Sequence, residues 1–238
     1  MVTSMGTSQA RDVLHAVADA LNAVLACPRE TVETTVLTFA AGGHVLLEDV
    51  PGVGKTTLAR ALATAIGGTV RRIQFTPDLL PGDLLGMNVY SRATESFAFH
   101  PGPIFANIVI ADEINRTDPK VQSALLEAMG EGQVSVDGQT HHLEQPFIVV
   151  ATQNPIELEG TYPLPEAQLD RFMIRMGFGY PVAGTEERMV MSDHASRPLE
   201  GLHRVAELDH DTGAILYDDG HLSRSNHLVP RLPTNRHH

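Results

Sequence analysis

The chain has 238 residues, 42% hydrophobic and 19% charged, which is enough for one α/β domain with a sizeable core plus a smaller unit. Its net charge of -12 is spread along the chain, and Arg71-Arg72 is the only adjacent basic pair, which argues against non-specific nucleic-acid binding and its basic footprint. The single cysteine, Cys27, excludes an intramolecular disulfide and Cys-cluster metal sites; no signal-peptide pattern and no apolar run of about 18 residues is seen, so the expected protein is cytoplasmic without membrane insertion.

Val13, Leu14, Val17, Leu21, Val24 and Leu25 recur at helical spacing before Cys27-Pro28. A second helix is expected from Arg29 to Ala41, stopped by Gly42-Gly43, so that residues 1–43 form a helical segment packed on the core. Val45 to Leu47 reads as a short buried strand, followed by a Gly/Pro loop and a helix from Lys55 through Leu58, Leu62 and Ile66. Thr69 to Phe75 alternates like a strand, and Thr76 to Gly86 is turn-rich. Val89 to Arg92 and Ser96 to His100 suit a small hairpin. Asn107 to Ala111 is a hydrophobic strand ending in Asp112-Glu113, and a helix from Pro119 to Met129 comes next with Asp118 as its cap. Gln133 to Val136, Asp137-Gly138 and Thr140 to Leu143 signal a second hairpin, because Asp-Gly suits a type I′ turn. Phe147 to Ala151 is a buried strand leading to Asn154, Pro165 to Arg171 is helical, and Phe172 to Phe178 is a last strand. Strands alternating with helices imply an α/β fold with a parallel sheet and ligands at the strands' carboxyl ends. Asp49, Asp112, Glu113 and Asn154 all fall there.

Those strand ends carry the chemistry. Strand, loop and helix with Gly54-Lys55-Thr56 at the bend is the context of a phosphate-binding loop, in which backbone N–H groups and the helix N-terminus converge on an anion. The candidate cradle is Asp49, Pro51, Gly52, Val53 and Gly54, with Lys55, Thr56 and Thr57 opening the helix. Asp49 stands where the usual pattern has glycine, and Asp tolerates unusual backbone angles better than most residues. Lys55 would serve the β/γ-phosphates of ATP, while the Thr56 hydroxyl and Asp112 would hold Mg²⁺. Glu113 would orient or deprotonate the attacking water. Asn154 either hydrogen-bonds the γ-phosphate or the water, or is simply a turn former before Pro155.

These residues resemble the AAA+ ATPases, and within them the MoxR (methanol dehydrogenase regulator-like) family. The likeness rests on Leu-Leu-Glu-Asp-Val-Pro-Gly-Val-Gly-Lys-Thr (46–56), Ala-Asp-Glu-Ile-Asn-Arg (111–116), Gln-Ser-Ala-Leu-Leu-Glu-Ala-Met (122–129), Ala-Thr-Gln-Asn-Pro (151–155) and Leu-Pro-Glu-Ala-Gln-Leu-Asp-Arg-Phe (164–172). It runs from about Ala10 to Pro181. The resemblance implies a three-layer P-loop NTPase core over 44–183 with two β-hairpin inserts, N-terminal helices and a helical lid. It makes Lys55 and Thr56 the Walker A pair, Asp112 and Glu113 Walker B, and Asn154 sensor 1. It makes Arg171 the arginine finger, acting on ATP bound by a neighbouring subunit; from spacing alone Arg171 equally suits a salt bridge with Asp170 or Glu166. A finger implies a homo-oligomeric ring, commonly hexameric, and the family implies Mg²⁺-dependent ATP hydrolysis that remodels a client or a von Willebrand A-type partner. The hairpins would face a pore or that partner, or remain plain surface ribbons.

The departure lies at the end of the chain. Residues 184–208 look like the start of a lid, but no Gly-Ala-Ser-Pro-Arg-like sensor 2 string occurs, and 209–238 reads as a disordered or aberrant tail. A gene truncated or frame-shifted near Leu208 is the expectation, with an incomplete lid and impaired turnover. The rival readings are a non-hydrolysing nucleotide-binding regulator and, further off, a nucleic-acid motor.

Overall fold

A computed structural model of the chain describes residues 7–25, 27–48, 55–154, 160–177, 199, 201–209 and 214–217. The loop Asp49, Pro51, Gly52, Val53 and Gly54 lies outside them, as do most of the expected lid and tail. Five strands form the central sheet: β1 (Val45–Glu48), β2 (Val70–Gln74), β5 (Ile108–Asp112), β8 (Ile148–Gln153) and β9 (Ile174–Met176), in the order β2-β5-β8-β1-β9. Every pairing is parallel, as strands joined through helices require.

Strand periodicity builds the three layers. Val45 and Leu47, Ile108 and Ile110, and Ile148 and Val150 point to one face, where they join α1 (Thr7–Val24), α2 (Arg29–Ala40) and α3 (Lys55–Ile66) in one core. Leu46, Val109, Ala111, Val149 and Ala151 point to the other, with α4 (Pro81–Leu85) and α5 (Pro119–Glu131). Alternate side chains of a strand leave on opposite faces, so an apolar run without polar interruption marks a strand covered on both sides. At the N-terminal side α1 lies on α2 and α3, with Val13, Val17 and Leu21 buried.

Capping and turn chemistry set the ends. The Asp118 carboxylate accepts the Lys120 N–H at 2.8 Å at the start of α5, and Gly132, at φ +64°, ends that helix. Both expected hairpins form, as β3 (Gly86–Ser91) with β4 (Ser96–Pro101) and β6 (Gln133–Val136) with β7 (Gln139–His142). Asp137 and Gly138 both adopt positive φ, the conformation a type I′ turn demands. The two hairpins lean on each other: Asn88 donates to Asp137 at 2.8 Å, and the Phe99 ring stacks on His141 with centroids 3.8 Å apart.

The stretch 184–198, expected to open the lid, lies outside the described residues, and where the chain is described again it forms a pair of strands. β10 (Ala206–Asp209) pairs antiparallel with β11 (Ala214–Tyr217), and the stretch leading into it docks on α3 through Leu202, which is buried, and the Val205 N–H, which donates to the Ala65 carbonyl at 2.8 Å. The strand-favouring run Ala-Ile-Leu-Tyr satisfies its backbone by pairing, which polar composition around it concealed.

Candidate functional site

The carboxyl ends of β1, β5 and β8 bring together Lys55, Thr56, Thr57, Asp112, Glu113 and Asn154 among the residues singled out from the sequence. Lys55 opens α3 and is buried, with Thr56 and Thr57 half-buried beside it, so a cation and a hydroxyl stand at a positive helix terminus. Asp112 ends β5 and keeps the parity of Ile108 and Ile110, which directs it to the face of the sheet that carries α3. Arg72 and Gln74 on β2, and Thr152 on β8, share that parity, and Asn154 is next in the β8 series.

The acids are held from several sides. Arg72 Nε lies 2.6 Å from Asp112 Oδ2, and the Thr152 hydroxyl donates to Asp112 Oδ1 across a long 3.3 Å. The same Thr152 oxygen accepts the Glu113 backbone N–H at 3.0 Å. Glu113 is left-handed, at φ +58° and ψ +50°, a conformation that costs a non-glycine residue about 1–2 kcal/mol. That kink breaks strand parity and turns the Glu113 carboxylate toward Gln74 Nε2, at 2.8 Å, and Arg116 Nη1, at 3.0 Å. The Asn115 amide donates to the Asn154 carbonyl at 3.4 Å, tying the turn after β5 to the end of β8. Gln122, buried on α5, donates to the carbonyls of Ile114 and Tyr162 at 2.9 Å each and locks the same turn from below. At the end of β1, Glu48 accepts from Gln153 Nε2 and pairs with Arg175 Nε at 2.5 Å, so three strands share one carboxylate.

Sequence reading missed Thr152, Arg72, Gln74 and Glu48. A partial signal existed: Gln74, Thr152 and Glu48 are polar residues at or next to a strand's carboxyl end, and Arg72, Gln74 and Thr152 have the parity of Asp112.

Arg171 is elsewhere. It precedes β9, whose Ile174 pairs with Val45 at the amino end of β1, while Asp112 and Gln153 lie at carboxyl ends. The length of β1, roughly 10 Å at strand rise, separates the two levels. No ion pair joins Arg171 to Asp170 or Glu166 among the described residues. At the same end of the sheet lies His44, buried, whose Nδ1 accepts the Val149 N–H at 3.0 Å. Nε2–H therefore donates to the Met129 carbonyl at 3.2 Å, and burial pushes the imidazole pKa down to about 4.

The description "ATPase family associated with various cellular activities (AAA)" matches residues 44–174, which contain the five-stranded sheet up to Ile174. Chaperone MoxR1 of Mycobacterium tuberculosis is 52% identical over 162 residues, covering 68% of this chain and 43% of that protein. The chain belongs to the MoxR family of AAA+ ATPases. Another MoxR-family relative, Protein MoxR of Paracoccus denitrificans, is 34% identical over 181 residues, 73% of this chain and 52% of its own. The uncharacterized protein YeaC of Bacillus subtilis (strain 168) is 56% identical over 185 residues, 78% of this chain and 58% of that one. The chain thus spans about half the length of these curated relatives. A crystal structure of a candidate ATPase from Cytophaga hutchinsonii superposes with a TM-score of 0.74 at 40% identity, over 84% of this chain and 60% of that one. Members of this AAA+ family bind nucleotide, usually with Mg²⁺. A half-buried hydroxyl and a buried carboxylate, on Thr56 and Asp112, are hard oxygen donors that fit that ion.

Proposed function

We propose that this MoxR-family chain hydrolyses ATP at the interfaces of a homo-oligomeric ring, hexameric as is common in the family, and uses the energy to remodel or mature a partner protein complex. The observation that carries the reading is the juxtaposition of Lys55 at the α3 N-terminus with a buried Asp112 and a kinked Glu113 on the same sheet end. Lys55 and the loop before it bind the phosphates; Thr56 and Asp112 hold Mg²⁺, which when bound neutralises charge developing on the transferring group. Glu113 positions and deprotonates the water, and Asn154 orients the water or the γ-phosphate from the neighbouring strand. Arg171, at the opposite end of the sheet from these residues, supplies its guanidinium to the next subunit's site. The relative named a chaperone supports remodelling, and a client with a von Willebrand A-type domain is the partner class proposed. In the cell this work is cytoplasmic, and no helix among the described residues is long and apolar enough to cross a membrane.

Nucleotide titration beside a phosphate-release assay tests the assignment. Lys55→Ala should weaken ATP binding, whereas Glu113→Gln should bind ATP and stop releasing phosphate. A wild-type release rate in the Glu113 variant would sink the role given to it. ATP binding by the wild type with no release would make the chain a nucleotide-binding regulator instead.

A further inference from the structure

Gly130 lies in the last turn of α5, where its φ is not left-handed, so no backbone requirement calls for glycine. Glycine is a poorer helix former than any residue but proline, and its presence there needs another cause. The cause is steric: a Cβ on residue 130 would overlap Arg171 Nη1 and stand 2.9 Å from its Cζ. The guanidinium crosses bare backbone, beside the carbonyl end of a helix that favours a cation. The root of the same side chain is equally fixed, because the Arg171 N–H donates to the Gln168 carbonyl at 3.2 Å and Phe172 is buried in the core that α5 lines.

The geometry points to Gly130 as a positioning residue for Arg171, a seat that sets the direction in which the guanidinium leaves the subunit. This rests on the reading of Arg171 as a residue acting on the neighbour's ATP. The clash involves the far end of a flexible side chain, so Gly130→Ala should displace the guanidinium and leave the fold intact.

The test uses the full chain in mixed assemblies. Arg171→Ala subunits keep a complete site of their own but lend no guanidinium; Lys55→Ala subunits do the reverse. Mixing them should restore phosphate release, and substituting Lys55→Ala/Gly130→Ala subunits should cut the restored kcat at least about tenfold, with KM for ATP and ring mass by light scattering unchanged. Equal restoration by the two partners would overturn the seat. Failure of Lys55→Ala subunits to restore anything would overturn the trans-acting role of Arg171 and the seat with it. Thermal unfolding gives a readout that does not depend on turnover. Gly130→Ala should raise Tm by a few degrees more in an Arg171→Ala background than beside Arg171, where Ala must displace the guanidinium. The same Tm change in both backgrounds would show that Gly130 accommodates something other than Arg171.

Discussion

At the carboxyl ends of the central strands the side chains are charged and share partners: Arg72 with Asp112, Arg116 and Gln74 with Glu113, Arg175 with Glu48. At the amino ends two neutral side chains, His44 and Asn107, are buried and hold neighbouring elements together. His44 joins β8 to α5, and Asn107 takes both the N–H and the hydroxyl of Thr69 while donating to the Pro146 carbonyl. The arginines of the charged end are half-exposed and water can replace their bonds, so they can yield to a ligand at small cost. The neutral end has no such reserve, because an opened bond there leaves a buried group without a partner. One end of the sheet can exchange partners, and the other serves as the fixed frame from which Arg171 projects.

Four measurements probe this contrast, beginning with the largest effect. Glu113→Gln should lower the phosphate-release rate by roughly 10²–10⁴ while leaving thermal stability near that of wild type, because the amide retains the side chain's size. A large stability loss without a turnover loss would make Glu113 part of the frame.

The frame should reveal itself by pH. Above pH 6.5 His44 is neutral in both folded and unfolded chains and contributes no dependence. Below it the unfolded chain takes up a proton that the folded chain refuses until about pH 4, so stability falls as pH drops through that window, by roughly 3 kcal/mol in all. Chemical denaturation from pH 7 to 4 should show wild type losing ground against His44→Gln, whose amide can donate and accept without titrating. Parallel pH curves for the two would refute the assignment of His44 as a neutral staple.

Thr152 stands between the two regimes, since its hydroxyl is buried yet serves both acids. Thr152→Val keeps the shape but strands the Glu113 N–H, and should cost about 1–3 kcal/mol in unfolding free energy together with turnover. Thr152→Ser should recover most of both; a serine variant as impaired as valine would mean that packing, not the hydroxyl, matters. Arg72→Ala should have the smallest effect on stability, under about 1 kcal/mol and shrinking in high salt, because the guanidinium is half-exposed. A loss as large as that of Thr152→Val would erase the distinction between an exchangeable end and a fixed one.

Much of this site was legible from residues alone, for local reasons. Lys55-Thr56 before a helical apolar stripe, and Asp112-Glu113 after four apolar residues, are contiguous patterns whose spacing states their place in an element. Asp137-Gly138 announced its turn in the same way, because only certain residues accept two successive positive φ angles. That Thr152, Arg72 and Gln74 are the partners of the acids was not legible, since they meet them only through lateral strand pairing with residues about 40 positions away. The strands at 206–217 escaped notice because short pairings draw on a partner and a docking surface more than on composition.

By itself the sequence determined the order of elements, the parallel α/β class, and the placing of the lysine at a helix start and of the acids at a strand's carboxyl end, because period, capping and loop chemistry act within a few residues. Only the tertiary structure decided that β8 lies between β1 and β5, so that Thr152 reaches both acids. It also decided that Glu113 turns left-handed, and that Arg171 rests across Gly130 at the far end of the sheet. Those facts depend on which strands become neighbours and on where a backbone is left bare, and packing in three dimensions is what settles both.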